Sequence, residues 1–404
     1  MRPVAGHDGR SRKALVVITE DWFALSHFVP LLTELKALAG SVVVATRDSG
    51  RLGEICRLGV EVRPLDMRRG SLNVSAHMQV RDGLARLIEQ ERPDAVHAIA
   101  MQPMVMTSLA LAKAGHRPSA VILHLTGQGY LGHSRSPLAH VLRPLARVAL
   151  QRCTSRHNAW LVAENRDDVA KMLADRVAVP GRTAILPGAG VDATLFPELA
   201  APLNALPRVA YVGRMLRSKG LYVLVQAHRL LRGRGAGIDL ALYGEADAGS
   251  REAIPSKTLL DWNSEAGITW YGRTSNIVGV WRSADIAVVP PLGGDGMPRA
   301  MLEAAACGRA LVASDVPGCR EFVRPGVEGL LVPPGDAGAL AAALASLAGD
   351  PQLRSRMGGA ARRRVLQDFS EDVVRARIRE IYQAAGAAAG GAMPVQQGYS
   401  AHRA

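Results

Sequence analysis

The sequence predicts an α/β protein built from two doubly wound, parallel-sheet domains. Three observations predict it. Short apolar runs rich in Val, Ala and Ile alternate with longer segments of helical period. The runs are continuous rather than alternating in polarity, as strands buried on both faces are. They come in two series, parted by a stretch rich in Pro and Gly that has no period.

In the first series the strands are ALVVIT (14–19), SVVVAT (41–46), DAVHAI (94–99) and SAVILHL (119–125). Helical spacing over Val29–Ala39 and Val80–Glu91 fills gaps between them. The second series has RVAYVG (208–213), IDLALYG (238–244), ITWYG (268–272), IAVVP (286–290) and ALVAS (310–314). The aperiodic stretch 187–207 reads as a linker. That sets a first domain over 1–186 and a second over 208–368. After Gln383 an Ala- and Gly-rich, low-complexity run predicts a disordered tail over 384–404.

Composition narrows the function. A chain of 404 residues can bury a core without a disulfide or metal staple. Its four cysteines, Cys56, Cys153, Cys307 and Cys319, lack zinc or disulfide spacing and fit a reducing cytoplasm. The two near the Gly-rich loop, Cys307 and Cys319, read as packing residues. The formal charge is +13, yet only six of the 49 basic residues are Lys. That Arg excess is partly a compositional bias; the remainder calls for anionic partners such as nucleotide phosphates, anionic lipid or nucleic acid. Nucleic acid is the weaker of these, with 4% aromatic residues and no basic-aromatic interleaving. No apolar run approaches the ~18 residues of a membrane span. The stretch Ala14–Ile18 is too short for a signal peptide and reads as a first buried strand.

Ligands of open α/β sheets sit at the carboxyl ends of the strands, so the loops there are the places to look. The densest one follows IAVVP: a Gly-rich loop (Gly293, Gly294, Asp295, Gly296), then Pro298 at a helix start, Glu303 inside the helix and Gly308 closing it. Loop amides and a helix N-terminus converge there, which suits an anion or a cluster of sugar hydroxyls. A second loop, Val212-Gly213-Arg214-Met215-Leu216-Arg217-Ser218-Lys219-Gly220, links a strand to a helix and offers cations. No Asp-x-Asp pair follows a strand in this region, so no metal site is expected.

Together these strings resemble the retaining nucleotide-sugar glycosyltransferases of family 4. Their signature is an acidic residue, seven residues, then Glu, met here by Asp295 and Glu303 with Gly296, Pro298, Leu302, Ala304, Cys307, Gly308, Val312–Asp315 and Gly318–Glu321. Asp295 stands where the family usually has Glu, one methylene or about 1.5 Å shorter. Glu20–His27 and Thr126-Gly127-Gln128-Gly129-Tyr130 resemble loops of the capsule and O-antigen branch. Gly188–Asp192 resembles the Gly-Val-Asp loop near the interdomain hinge, and Ser370–Tyr382 the closing helix of GT-B proteins.

The resemblance implies a GT-B fold: two Rossmann-like domains facing across a cleft, with a closing helix over 369–383 packed back on the first. It implies a glycosyltransferase that moves a sugar, with retention and without metal or cofactor, from a UDP-type donor to a polyprenyl-diphosphate-linked saccharide. Such enzymes build capsule, O-antigen or exopolysaccharide on the cytoplasmic face of the inner membrane. Arg214 and Lys219 would hold the donor diphosphate, Glu303 ribose hydroxyls and Asp295 sugar hydroxyls, with Gly213, Gly296, Met297 and Pro298 shaping the donor site. His124, Thr126, Gly127 and Gly129 would lie on the acceptor side. His97 reads as a hydrogen-bonded strand residue, and His124 as either that or a site residue. The basic amphipathic segment Arg135–Arg152 reads as either a helix lying on anionic lipid or an ordinary domain helix. Two other readings are a GT-B nucleotide-sugar epimerase, which would need no lipid acceptor, and the basic nucleic-acid binder.

Overall fold

A computed structural model describes residues 12–68, 73–127, 137–247, 250 and 252–387. The chain divides into two compact units, Met1–Leu186 with Arg375–Ala404, and Pro187–Val374.

The first unit holds strands β1 (Lys13–Glu20), β2 (Ser41–Arg47), β3 (Glu61–Pro64), β4 (Ala95–Ile99), β5 (Ala120–Leu125), β6 (Ala159–Ala163) and β7 (Thr183–Ile185). They form one parallel sheet in the order β3-β2-β1-β4-β5-β6-β7. Leu15, Val17, Val43, Val96, Val121 and Leu123 turn to one face. There they pack on Leu84, Ile88, Met104, Leu111 and Leu150 from helices Val74–Glu91, Met101–Lys113 and Pro137–Arg156. Both faces of the central strands are buried, which is why they read as unbroken apolar runs.

The other face carries polar groups. Tyr382, on the last helix, Glu371–Ala387, lies with its hydroxyl 2.8 Å from His97 Nδ1. His97 Nε2 lies 3.2 Å from His124 Nδ1, and the edge of Phe28 packs on the His124 ring. His97 is thus the hydrogen-bonded strand histidine its setting predicts, and His124 is its buried partner. Burial lowers His124 to about 3, and burial and then the neighbouring His124 hold His97 well below its usual value. Both imidazoles are therefore neutral in the native unit and take up protons only on unfolding. The unfolded chain binds more protons below its histidine pKa of about 6.5, so stability falls as pH drops from there toward 3. We expect up to ~1.4 kcal/mol lost per pH unit per imidazole. Urea midpoints at pH 7.5, 6 and 5 check this: a His97→Gln/His124→Gln chain should show a flatter slope, and a slope equal to wild type would refute it.

The second unit holds β8 (Arg208–Val212), β9 (Asp239–Tyr243), β10 (Ile268–Gly272), β11 (Ile286–Val289), β12 (Ala310–Ser314) and β13 (Gly329–Val332). Its parallel sheet runs β10-β9-β8-β11-β12-β13. Strand order reverses between β8 and β11, so the loops leaving these two strands flank a crevice at their carboxyl ends.

Several expectations need correction. The last helix runs to Ala387, four residues into the expected tail, because alanine sustains a helix. The helix expected from Val80 starts at Val74, where the Asn73 side chain caps it by accepting from Ala76 N–H. Strands β3, β6, β7 and β13 went unread in the sequence. Among the described residues no helix is long and apolar enough to cross a membrane.

Candidate active site

The site is built where β8 and β11 end. After β8 the chain passes Gly213 and Arg214, whose carbonyl accepts from the buried Tyr211 hydroxyl at 3.0 Å. Burial, and next the Asp295 charge, push that phenol above its usual range, so it stays a donor. A 3-10 turn, Arg217–Lys219, follows, and Gly220 opens the helix Leu221–Gly233 with φ of 75°. A Cβ on Gly220 would sit 1.9 Å from the Pro290 carbonyl oxygen, so glycine here lets two strand-following loops touch. Leu292 N–H donates to the Ser218 carbonyl across the same contact at 2.8 Å.

That contact brings the two motifs together. Lys219 Nζ donates to both Asp295 oxygens, at 2.7 and 2.6 Å. Both side chains are about three-quarters buried, at 23% and 25% exposure. Arg214 Nη1 reaches Asp247 Oδ2 at 3.2 Å, from the loop after β9. Arg214 and Lys219 are thus each held by a carboxylate of a neighbouring loop. Gly296, Met297 and Pro298 then lead into the helix Arg299–Ala306, with Pro298 at its N-cap. Under this loop runs the helix Pro317–Phe322. A Cβ on Gly318 would fall 1.3 Å from the Gly296 carbonyl oxygen.

Glu303 lies one turn into its helix with 9% of its side chain exposed. Burial pushes its carboxyl pKa up, and the Arg299 guanidinium opposes this through an Nε–Oε1 bond of 2.8 Å. Cys307 and Cys319 are buried, and burial pushes Cys307 to about 11 and Cys319 higher still. These are packed thiols rather than thiolate nucleophiles.

The second unit therefore gathers Gly213, Arg214, Lys219, Asp295, Gly296, Met297, Pro298 and Glu303 on the loops after β8 and β11 and the helix that follows. His124, Thr126 and Gly127 lie at the end of β5 in the first unit. Gly129 lies outside the described residues. Sequence reasoning missed Asp247 and Arg299. Nothing near Asp247 in the chain signals its pairing with Arg214. The spacing of Arg299 to Glu303 is a readable helical i, i+4 pair.

Two family models match the chain: "Glycosyl transferase 4-like domain" over residues 26–189, and "Glycosyl transferases group 1" over residues 206–350. Among curated relatives, an amylovoran biosynthesis glycosyltransferase, AmsK of Erwinia amylovora, is 27% identical over 303 residues, 68% of this chain and 73% of that one. The N,N'-diacetylbacillosaminyl-diphospho-undecaprenol alpha-1,3-N-acetylgalactosaminyltransferase of Campylobacter jejuni is 22% identical over 89% of this chain and 95% of its own. Among solved structures, Anabaena HepE in complex with UDP and glucose superposes with a TM-score of 0.73 at 18% identity, covering 92% of this chain and 100% of that one. Sucrose-phosphate synthase of Thermosynechococcus elongatus gives 0.75 at 19%, covering 93% and 100%. At such identities these structures speak for the fold.

Proposed function

The chain belongs to the glycosyltransferases of group 1, whose two domain types it carries in order, and on that premise we propose a specific reaction. It transfers a sugar, with retention and without a metal, from a UDP-sugar to a polyprenyl-diphosphate-linked saccharide in bacterial surface polysaccharide synthesis. The observation that carries this reading is the placing of Arg214 and Lys219 in one loop at the carboxyl end of β8, with Lys219 paired to Asp295 from the loop after β11 and Arg214 to Asp247 from the loop after β9. Two cations there neutralise charge that grows on a departing nucleoside diphosphate. Glu303 binds ribose hydroxyls and Asp295 sugar hydroxyls, and the amides of Gly296 and Met297 position the sugar. The gain comes from positioning and charge stabilisation rather than from a protein nucleophile.

Two relatives support the acceptor and donor classes. One is named for a diphospho-undecaprenol acceptor, and HepE was crystallised with UDP-glucose as well as UDP. A panel of UDP-, GDP- and ADP-sugars with crude undecaprenyl-linked glycan, with and without EDTA, tests the reading. Product NMR would report the anomeric configuration. Turnover of UDP-sugar only into its epimer would defeat it.

The acceptor's lipid places the work at the cytoplasmic face of a membrane, and one helix suits that surface. Pro137–Arg156 carries Arg143, Arg147, Arg152 and Arg156 and no acidic residue. Leu145 and Val148 on it are 62% and 39% exposed. Cationic and apolar groups so mixed bind anionic bilayers, each Arg adding roughly 1 kcal/mol near the surface. The protein should sediment with phosphatidylglycerol vesicles at low salt and be released as salt rises. Arg143→Glu/Arg147→Glu should weaken sedimentation and lower activity on a lipid-linked acceptor more than on a soluble analogue. Equal losses on both acceptors would make this a plain structural helix.

A further inference from the structure

We propose that Arg299 is a positioning residue for the donor: it fixes the Glu303 carboxylate and keeps it able to accept two hydroxyl hydrogen bonds. This rests on the placing of Glu303 at the donor ribose. The geometry begins with burial. Met301 through Ala306 are all buried, so Glu303 is carried into the body of the unit on an otherwise apolar turn. Arg299 stays one-third exposed at the rim and reaches back one turn to Oε1 at 2.8 Å. One carboxylate oxygen is thereby tied to Arg299, and in this proposal the other accepts from the donor.

Helix stability does not explain this pair. Arg299 opens its helix, where the backbone dipole is positive and an acidic residue is preferred. The basic-before-acidic order is also the weaker orientation of an i, i+4 pair. The N-cap, Pro298, supplies no side-chain hydrogen bond to offset it. A local rule broken at the mouth of a site points to function.

The electrostatic surroundings agree. Burial raises the Glu303 carboxyl pKa, and Arg299 is the charge that opposes it. Cys307, one turn on, holds a neutral thiol, and Arg309, Arg362 and Arg282 act on that thiol. Without the guanidinium the carboxyl would protonate at a higher pH, and a protonated carboxyl presents a donor where the ribose hydroxyls need acceptors.

The test measures UDP affinity by calorimetry from pH 5 to 8.5 in wild type, Arg299→Gln, Arg299→Lys and Glu303→Gln. Arg299→Gln should bind UDP close to wild type at pH 8.5 and several-fold more weakly at the acid end of the range, its acid limb displaced to higher pH. Arg299→Lys should recover most of that loss. A merely structural role would lower affinity evenly across pH, and parallel curves would overturn the proposal. Glu303→Gln should bind UDP weakly at every pH. Wild-type binding there would overturn both the ribose assignment and this proposal; weak binding there with parallel Arg299 curves would overturn this proposal alone. If Arg299→Gln fails to fold, Arg299→Met decides in its place: its acid limb must lie at higher pH than that of wild type, and a curve parallel to wild type would overturn the proposal.

Discussion

Lys219→Ala and Arg214→Ala should each cut turnover by about 10²–10³ while leaving the fold intact. The magnitude is that of losing one preorganised donor aimed at developing charge. Here the charge would build on the β-phosphate oxygen that parts from the anomeric carbon. The two variants should not be equal. Lys219 is the more buried cation, and its partner Asp295 sits in the loop proposed to hold the sugar. Removing Lys219 would leave the Asp295 carboxylate facing donor phosphates without its counter-charge. Removing Arg214 would leave Asp247 in a more exposed loop, where water screens it. Lys219→Ala should therefore lose more. A Lys219→Ala/Asp295→Ala chain should lose less than the sum of its single changes, because the two groups share one interaction. Thermal midpoints should move by only a few degrees, since partly exposed ion pairs contribute at most about 1 kcal/mol. Single-turnover rates decide the matter, and near-wild-type rates in both single variants would remove the diphosphate assignment.

What the sequence showed and what it hid divide along physical lines. Central parallel strands are buried on both faces, so β1, β2, β4, β5, β8, β9, β11 and β12 announce themselves as continuous apolar runs. The edge strands β3, β7 and β13 do not, although the edge strand β10 was read from ITWYG. β3 and β7 are short and half-exposed, and β13 is a four-residue run beside a Gly-rich turn. β6 is different: AWLVA is wholly buried and bounded by Asn158 and Asn165, so it could have been read, although the period of five apolar residues alone does not separate strand from helix. Within the site, spacing along the chain exposed Asp295, Glu303, Arg214 and Lys219 as candidates. It could not show that Lys219 and Asp295, 76 residues apart, form one ion pair, because that depends on two loops meeting at Gly220 and Pro290. The His97–Tyr382 contact spans 285 residues and was equally hidden. Arg299 was legible as a helical neighbour of Glu303, and its meaning came only with the burial of that carboxylate.

Gly318→Ala should be as damaging to activity as loss of Lys219, although residue 318 carries no chemistry. Its added Cβ would lie 1.3 Å from the Gly296 carbonyl oxygen, 2.5 Å from that carbonyl carbon and 3.2 Å from the Asp295 oxygen. All three are backbone atoms, so no side-chain rotation relieves the clash. One of two segments has to move. The helix Pro317–Phe322 is anchored by Cys319 and Phe322, both fully buried in the second unit's core. The loop carrying Asp295 and Gly296 is the softer of the two, and its displacement would pull Asp295 away from Lys219. We expect kcat/KM to fall by at least 10², a loss of the size that small misplacement of catalytic groups brings. Overpacking against backbone should also destabilise by about 3 kcal/mol, or a fall of roughly 6–12 °C in Tm for a unit of this size. Gly349→Ala is the matched control, since a Cβ there meets nothing within 4 Å. If Gly318→Ala keeps both the rate and the Tm of that control, the 295–296 loop is not held from below by this helix, and the tight seating of the donor loop has to be abandoned.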